Sequence, residues 1–267
     1  TSVGSGAFYY CSAFTSVNLP NCTSVGERAF HECTSLASVN FPNCTSVVDY
    51  AFFYCTALTS VNLPNCTSVG ASVFYGCSAL TSIDLTNCIT IGDYAFSDCR
   101  ALTSVNFPNC TSIGYYAFYR CKSLTSVNLP NCTYAYGGLF DGCTALASVN
   151  LPNCTSVGGY VFYGCSALTS VYIPNCKRVE NQAFDGCSAL TSVYIPKCSY
   201  INYYAFNNCT NLTQVYLNSV TSVTIISSTT FKNCPNITSV YVPSSLVDAF
   251  KVASYWSSIS NKIVAYA

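Results

Sequence analysis

The stretch LTSVNLPNCTSVGASVFYGCSA, Leu58 to Ala79, is one copy of a 22-residue unit that recurs almost without slippage. One phenylalanine per unit falls at Phe8, Phe30, Phe52, Phe74, Phe96, Phe118, Phe140, Phe162, Phe184 and Phe206, and Phe231 follows after 25 residues, so three residues are inserted before it. A fixed period of this length is the signature of a solenoid, in which each unit buries its apolar face only against its neighbours. Every other feature of the chain is then a column running through a stack.

Within the unit, Leu58 to Leu63 reads as a short strand, with Val61 and Leu63 inward at period two and Ser60 and Asn62 outward. Pro64 ends it, because proline lacks the N–H that a ladder needs. Asn65-Cys66 turns a corner, Val69 re-enters the core and Gly70 follows as a turn. That glycine column also holds Val48, Tyr136, Glu180, Asn202 and Thr224, so it does not strictly require positive φ. Ala-Phe then forms the second wall, with Phe74 filling the core and Cys77 and Leu80 completing the coil.

Of the 267 residues 51% are apolar and 7% charged, with a formal net charge of zero. No basic stripe exists to neutralise phosphates, which argues against nucleic acid as a partner. No apolar run approaches the ~20 residues of a membrane span. The chain contains no Met, and Thr1-Ser2-Val3-Gly4 matches Thr23-Ser24-Val25-Gly26, so it opens in mid-repeat and reads as a fragment or processed product. Residues 1–242 are expected to form one solenoid domain of about eleven coils, truncated at its N-terminus, and 243–267 a C-terminal cap.

The 20 cysteines fall every 11 residues from Cys11 to Cys209, and Cys234 closes the series. One column follows the phenylalanine by three; the other sits in the Pro-Asn-Cys corner. Zinc sites want paired ligands two to four residues apart, and none occur. Neighbours on stacked strands lie ~4.8 Å apart with near-parallel Cβ vectors, poor disulfide geometry. The columns read as buried thiols acting as small hydrophobes.

Leu58-x-x-Val61-x-Leu63-x-x-Cys66-x-x-Val69 fits the leucine-rich-repeat core pattern. Its continuation, quoted from the second unit, is Val25-Gly26-Glu27-Arg28-Ala29-Phe30-His31-Glu32-Cys33-Thr34-Ser35-Leu36. This resembles the BspA-like subclass of leucine-rich repeats, from Thr1 to about Val242. The resemblance implies a right-handed, β-dominated solenoid with one parallel sheet on its concave face and short turns or strands on the convex side. It also implies surface or secreted proteins of host-associated microbes, often adhesive. The cysteine-bearing corner and the 22-residue length depart from the pattern.

After Val242 the period is lost. Ser244 and Ser245 are candidate helix caps with Asp248 completing a capping-box-like pattern. Leu246, Ala249, Phe250, Ala253 and Trp256 recur at helical spacing, and 262–267 looks like a final strand. Such a segment caps an open core end, with Trp256, the only Trp, as its plug, or serves as a docking helix.

Sites of chemistry are sparse. His31 stands in an exposed variable position beside Glu32, without a nucleophile, and the acidic residues are scattered, so the chain is expected to be non-enzymatic, with no cofactor and no metal. Two surfaces remain as candidates for binding. The inner sheet carries Asn18, Asn40, Asn62, Asp84, Asn106, Asn128 and Asn150, then Tyr172, Tyr194, Tyr216 and Tyr241, either a platform for a glycan or peptide or a ladder steadying the sheet. The second surface is the pair of positions before Ala-Phe and the pair after it, which vary from unit to unit. Its candidates are Tyr116, Tyr119, Arg120, Tyr160, Tyr163, Tyr203 and Tyr204, in an alphabet resembling antibody paratopes. Sequons at Asn21, Asn43, Asn65, Asn109, Asn131, Asn153, Asn208, Asn211 and Asn236 are candidate glycan sites only in a glycosylating host.

The expectation is a monomeric binding or adhesion module at the cell surface or outside the cell, recognising an extracellular protein or glycan and not inserting into membrane. A structural spacer and a receptor-binding part of a viral particle are the alternatives.

Overall fold

A computed structural model describes residues 1–266. It is a parallel β-solenoid. The Ser-Val-Asn triplets form the front sheet: Ser16–Asn18, Ser38–Asn40 and Ser60–Asn62 pair in register, as do Ser104–Asn106, Ser126–Asn128 and Ser148–Asn150. A third run joins Ser170–Tyr172, Ser192–Tyr194, Gln214–Tyr216, Ser239–Pro243 and Ile263–Tyr266. Every pair is parallel and offset by one repeat, as a winding chain requires. Strand Ile263–Tyr266 adds a twelfth rung to the eleven coils marked by phenylalanines.

Inside each coil, the columns stack at the expected positions. The phenylalanine rings from Phe8 to Phe231 stack with centroids 5.0–5.6 Å apart. From Phe30 to Phe206 they are fully buried, each worth roughly 2–3 kcal/mol of transfer free energy. Of the thiols, 18 are buried and Cys11 and Cys234, at the two ends, are half-buried; all 20 are free.

The structure corrects several details. The second wall is not Ala-Phe but a second parallel ladder at the Ser-Val pair, Ser24–Val25, Ser46–Val47, Ser68–Val69 and onward. Ala-Phe lies in a pair of tight turns. Ala29 N–H donates to Gly26 O and Cys33 N–H to Phe30 O, while Arg28, Phe30 and Glu32 N–H donate to Asp49 O, Ala51 O and Phe53 O of the next coil. Backbone donors thus alternate between closing a turn and joining coils. The Gly column keeps negative φ; from Gly26 onward its glycines meet close approach, and a Cβ on Gly92 would lie 2.5 Å from the Gly70 carbonyl carbon, while Gly4 has open space. The extra residues before Phe231 fall between Val220 and Ile225, because Ile225 bridges Tyr200. Ser227, and not Thr224, therefore stands in the Gly column of that coil. Thr224 is buried and donates its hydroxyl to Cys198 O at 2.7 Å.

In the C-terminal segment the expected serine cap does not form. A 3₁₀ turn, Ser244–Leu246, precedes helix Val247–Val252, with no side-chain capping bond. Ala253, extended at ψ 152°, ends the helix, and Tyr255 at φ +66° precedes a separate 3₁₀ segment, Trp256–Lys262, to which Trp256 belongs. Ala249 faces solvent rather than the core. Trp256 nevertheless closes the stack: it is 1% exposed, meets Phe250 edge-on at 5.2 Å, lies 5.9 Å from Phe231, and donates Nε1–H to Thr224 O at 2.7 Å. The final strand spans Ile263–Tyr266; Ala267, also expected in it, lies outside the described residues.

Candidate interaction surfaces

The variable positions owe much of their alphabet to backbone geometry. The residue two before each phenylalanine from Phe8 to Phe206, and the residue two after each from Phe8 to Phe231, have positive φ, for example Arg28 at +53° and Glu32 at +54°. Each is the third residue of a tight turn, where positive φ favours Gly and Asn. The column two after phenylalanine holds Gly76, Asp98, Gly142, Gly164, Gly186, Asn208 and Asn233, seven of eleven positions. The remaining four, Tyr10, Glu32, Tyr54 and Arg120, are held in a conformation that costs ordinary residues about 1 kcal/mol or more.

On this turn side, the candidates form three clusters two coils apart. Tyr116 and Tyr119 meet edge to face at 5.7 Å, and the Arg120 guanidinium lies 4.7 Å above the Tyr119 ring. Tyr160 and Tyr163 meet at 5.9 Å. Tyr203 is 60% exposed, and Lys232 lies 5.6 Å over Tyr204. Arg120 and Tyr163 are exposed; Tyr116, Tyr119, Tyr160 and Tyr204 are half-buried. Glycines make room for some of these rings: a side chain at Gly138 would run into the Tyr116 ring.

His31 is not exposed. It is 8% accessible and sandwiched between Tyr9 and Phe53, each 4.8 Å away, in a stack that continues to Tyr75 at 5.0 Å. Burial lowers its pKa below the ordinary value, opposed by Glu32 and reinforced by Arg28. An enclosed neutral imidazole is a packing element. The Tyr9–His31–Phe53–Tyr75 stack, together with the exposed Tyr10, Tyr54 and Tyr94, extends the aromatic surface to coils that sequence reasoning passed over. The same column arithmetic from the phenylalanines would have found them.

The front sheet carries two consecutive ladders. Asn40, Asn62, Asn128 and Asn150 each donate Nδ2–H to the Oδ1 of the asparagine one coil earlier, at 2.6–2.8 Å. Asp84 interrupts this row, its Oδ1 taken by Thr86 N–H and hydroxyl. The tyrosine row follows: Tyr172 on Tyr194 at 4.9 Å, Tyr194 on Tyr216 at 5.7 Å, Tyr216 on Tyr241 at 4.6 Å. Tyr266, unforeseen in this role, meets Tyr216 and Tyr241 edge-on.

At the corner, five of the six sequon asparagines, all but Asn21, are occupied. Asn43, Asn65, Asn131 and Asn153 donate Nδ2–H to Pro20, Pro42, Pro108 and Pro130 O at 2.6–2.8 Å, and Asn109 to Thr86 O at 2.9 Å. A glycan on Nδ2 would have to break that coil-to-coil bond.

No helix among the described residues is long and apolar enough to cross a membrane. No curated protein sequence matches the chain. Among solved structures, the chain is similar to a leucine-rich repeat protein from Eubacterium ventriosum (21% identity, 82% of this chain and 82% of that one, TM-score 0.54). It is also similar to the pneumococcal vaccine antigen PcpA (16%, 95% and 68%, TM-score 0.57) and to a leucine-rich repeat protein from Bacteroides ovatus (21%, 100% and 88%, TM-score 0.48). The first two support the fold. A six-copy profile of the BspA type leucine rich repeat region matches residues 1–125, 67–191 and 133–262. With nearly the whole chain matched, and with its front sheet, stacked phenylalanines and tight turns in place, the protein belongs to the BspA-type leucine-rich-repeat family.

Proposed function

We propose that this protein is a non-enzymatic binding module, displayed at the cell surface or secreted, that engages an extracellular protein or glycan through its tyrosine-bearing turn side. The observation that carries this reading is the contrast between an almost invariant frame and varied side chains held outward by rigid turns. A ligand reading only the frame could slide by one coil at little cost. Selectivity therefore resides where coils differ: Tyr116, Tyr119 and Arg120, Tyr160 and Tyr163, Tyr203 and Tyr204. The ring contacts of Tyr116 with Tyr119 and of Tyr160 with Tyr163 lower the entropy lost on binding, and truncation at such anchors typically costs ~2 kcal/mol or more, about thirtyfold in Kd. The front tyrosines are the second candidate surface.

The test uses beads coated with the protein on a panel of immobilised extracellular-matrix proteins and glycans. Replacing Tyr116, Tyr119, Tyr160 and Tyr163 together by Ser should abolish adhesion while the solenoid stays folded. Adhesion kept by that variant but lost when Tyr172, Tyr194, Tyr216 and Tyr241 are replaced would move the site to the front sheet. A wild-type protein that adheres to nothing on the panel would favour the spacer reading instead.

A further inference from the structure

The front sheet changes character between Asn150 and Tyr172, and three observations meet at that step. First, the amide row ends there. Asn150 donates Nδ2–H back to Asn128, but among the described residues no amide follows to donate to Asn150 Oδ1. Second, stacking hides ring faces. Tyr194 and Tyr216 have neighbouring rings on both sides, and Tyr241 lies between Tyr216 and the edge of Tyr266. Tyr172 has an aromatic partner on one side only and is 60% exposed. Its other face, towards Asn150, is the one aromatic face that the row leaves open. Third, the sheet itself is interrupted. Ser148–Asn150 and Ser170–Tyr172 belong to different sheets. Leu129 N–H donates to Asn150 O and Ile173 N–H to Tyr194 O, but the corresponding bond from Leu151 is missing among the described residues, as it is from Leu63 and Leu85 on either side of Asp84. Val149 is half-buried where the equivalent Val127 and Val171 are buried.

The geometry points to a saccharide subsite at this step, taking one neutral hexopyranose with equatorial hydroxyls. Such a ring has a flat C–H face that stacks on an aromatic ring, and its rim hydroxyls both donate and accept. Here Tyr172 supplies the face, Asn150 Oδ1 an acceptor, and the exposed Ser148 and Ser170 hydroxyls further partners. No charged side chain stands in the outward positions of these two strands, so the site offers nothing to a carboxylate or sulfate. A few convergent polar groups around one apolar face is the usual composition of a small-ligand site. The step occurs once in the row, so it also fixes the register of a bound chain, which the repeating amides cannot do. This subsite deepens the reading of the chain as a binding module and places a glycan contact on the front sheet, apart from the turn side.

The experiment is saturation-transfer NMR on the full chain with cellohexaose and methyl β-D-glucopyranoside as probes. One stacked ring with two or three hydrogen bonds predicts a Kd on the order of 1 mM. Transfer should be strongest to the protons of one sugar face. Y172L should weaken binding about tenfold or more, and Y172F, which keeps the ring, should retain it. N150A should weaken it roughly three- to tenfold, the loss of one hydrogen bond. In the unmutated protein with labelled tyrosine rings, the Tyr172 resonances should move and those of Tyr116 should not. Absence of transfer to both probes, equal binding by Y172L, or shifts confined to turn-side tyrosines would overturn the subsite. The turn-side quadruple variant should bind both probes normally, so loss of the subsite and loss of bead adhesion are separate outcomes.

Discussion

At the residue scale, the cysteines carry more structure than their role as small hydrophobes implies. In the column after phenylalanine, each thiol from Cys33 to Cys209 donates to the phenylalanine carbonyl one coil back, as Cys55 does to Phe30 O at 3.1 Å and Cys77 to Phe52 O at 3.2 Å. In the corner, thiols such as Cys44 and Cys66 donate to the carbonyl two residues on. Serine in place of Cys77 would make the same bond more strongly but bring a more polar group into a site with no exposure. Burial pushes Cys33 and Cys154 up to about 11, and Cys44, Cys66 and Cys88 up to about 12, from an ordinary 9.0. Two outcomes follow from that direction. Iodoacetamide at pH 8 should label the native protein slowly, beginning with Cys11 and Cys234, and all twenty thiols rapidly after denaturation; rapid labelling of many thiols in the native state would refute the buried ladders. A raised folded-state pKa means that the unfolded chain loses protons first. Stability is therefore complete below about pH 8.5 and should fall as pH rises towards 12, each thiol whose pKa burial raises adding up to about 1.4 kcal/mol per pH unit. Denaturant midpoints measured from pH 7 to 11 would show it, and a flat profile would contradict it.

At the scale of the element, the C-terminal segment shows how packing overrides local signals. Ser244, Ser245 and Asp248 read as a capping box, yet Ser244 Oγ donates to Tyr266 O in the last strand instead. The segment is placed by what it must cover: the apolar end of the final coil, where Phe231 would otherwise face water. Trp256 does that from beyond the helix, its ring against Phe231 and Phe250 and its N–H on Thr224 O, the equivalent of the Ser199 carbonyl that accepts from Ile225 N–H one coil earlier. Trp256→Ala should cost about 3–5 kcal/mol, but not evenly. Because coils touch only their neighbours, hydrogen exchange should rise first in 200–266 and leave the coils around Phe52 and Phe74 protected. Uniform loss of protection along the chain would show a more cooperative stack than nearest-neighbour contact implies.

At the scale of the whole molecule, register is the property that matters. Deleting residues 59–80, one full period, joins Leu58 to Thr81 and restores every column. The shortened protein should fold, with a denaturant m-value lower by roughly one part in eleven. Deleting 11 residues would keep the cysteine spacing but set phenylalanines against the strand column of Leu63, and should abolish folding. A half-period deletion that unfolds like the full-period one would mean that the phenylalanine stack does not set the register.

The period, the inward columns, the parallel winding and the family were legible from residues alone, because they depend on spacing and on which side chains avoid water. Phe30 and Cys33 could occupy no other place once the 22-residue repeat was seen. The positive φ at Tyr116 and Arg120, the second ladder at Ser68–Val69 and the enclosure of His31 were not legible. Each depends on which backbone groups meet across coils, and a repeat pattern records that a column exists without recording its conformation. The break between Asn150 and Tyr172 lies between these cases. The change of residue is plain in the sequence, but the open ring face arises only where an amide row and an aromatic row, each satisfied within itself, meet; the missing rung belongs to the backbone and recurs on either side of Asp84.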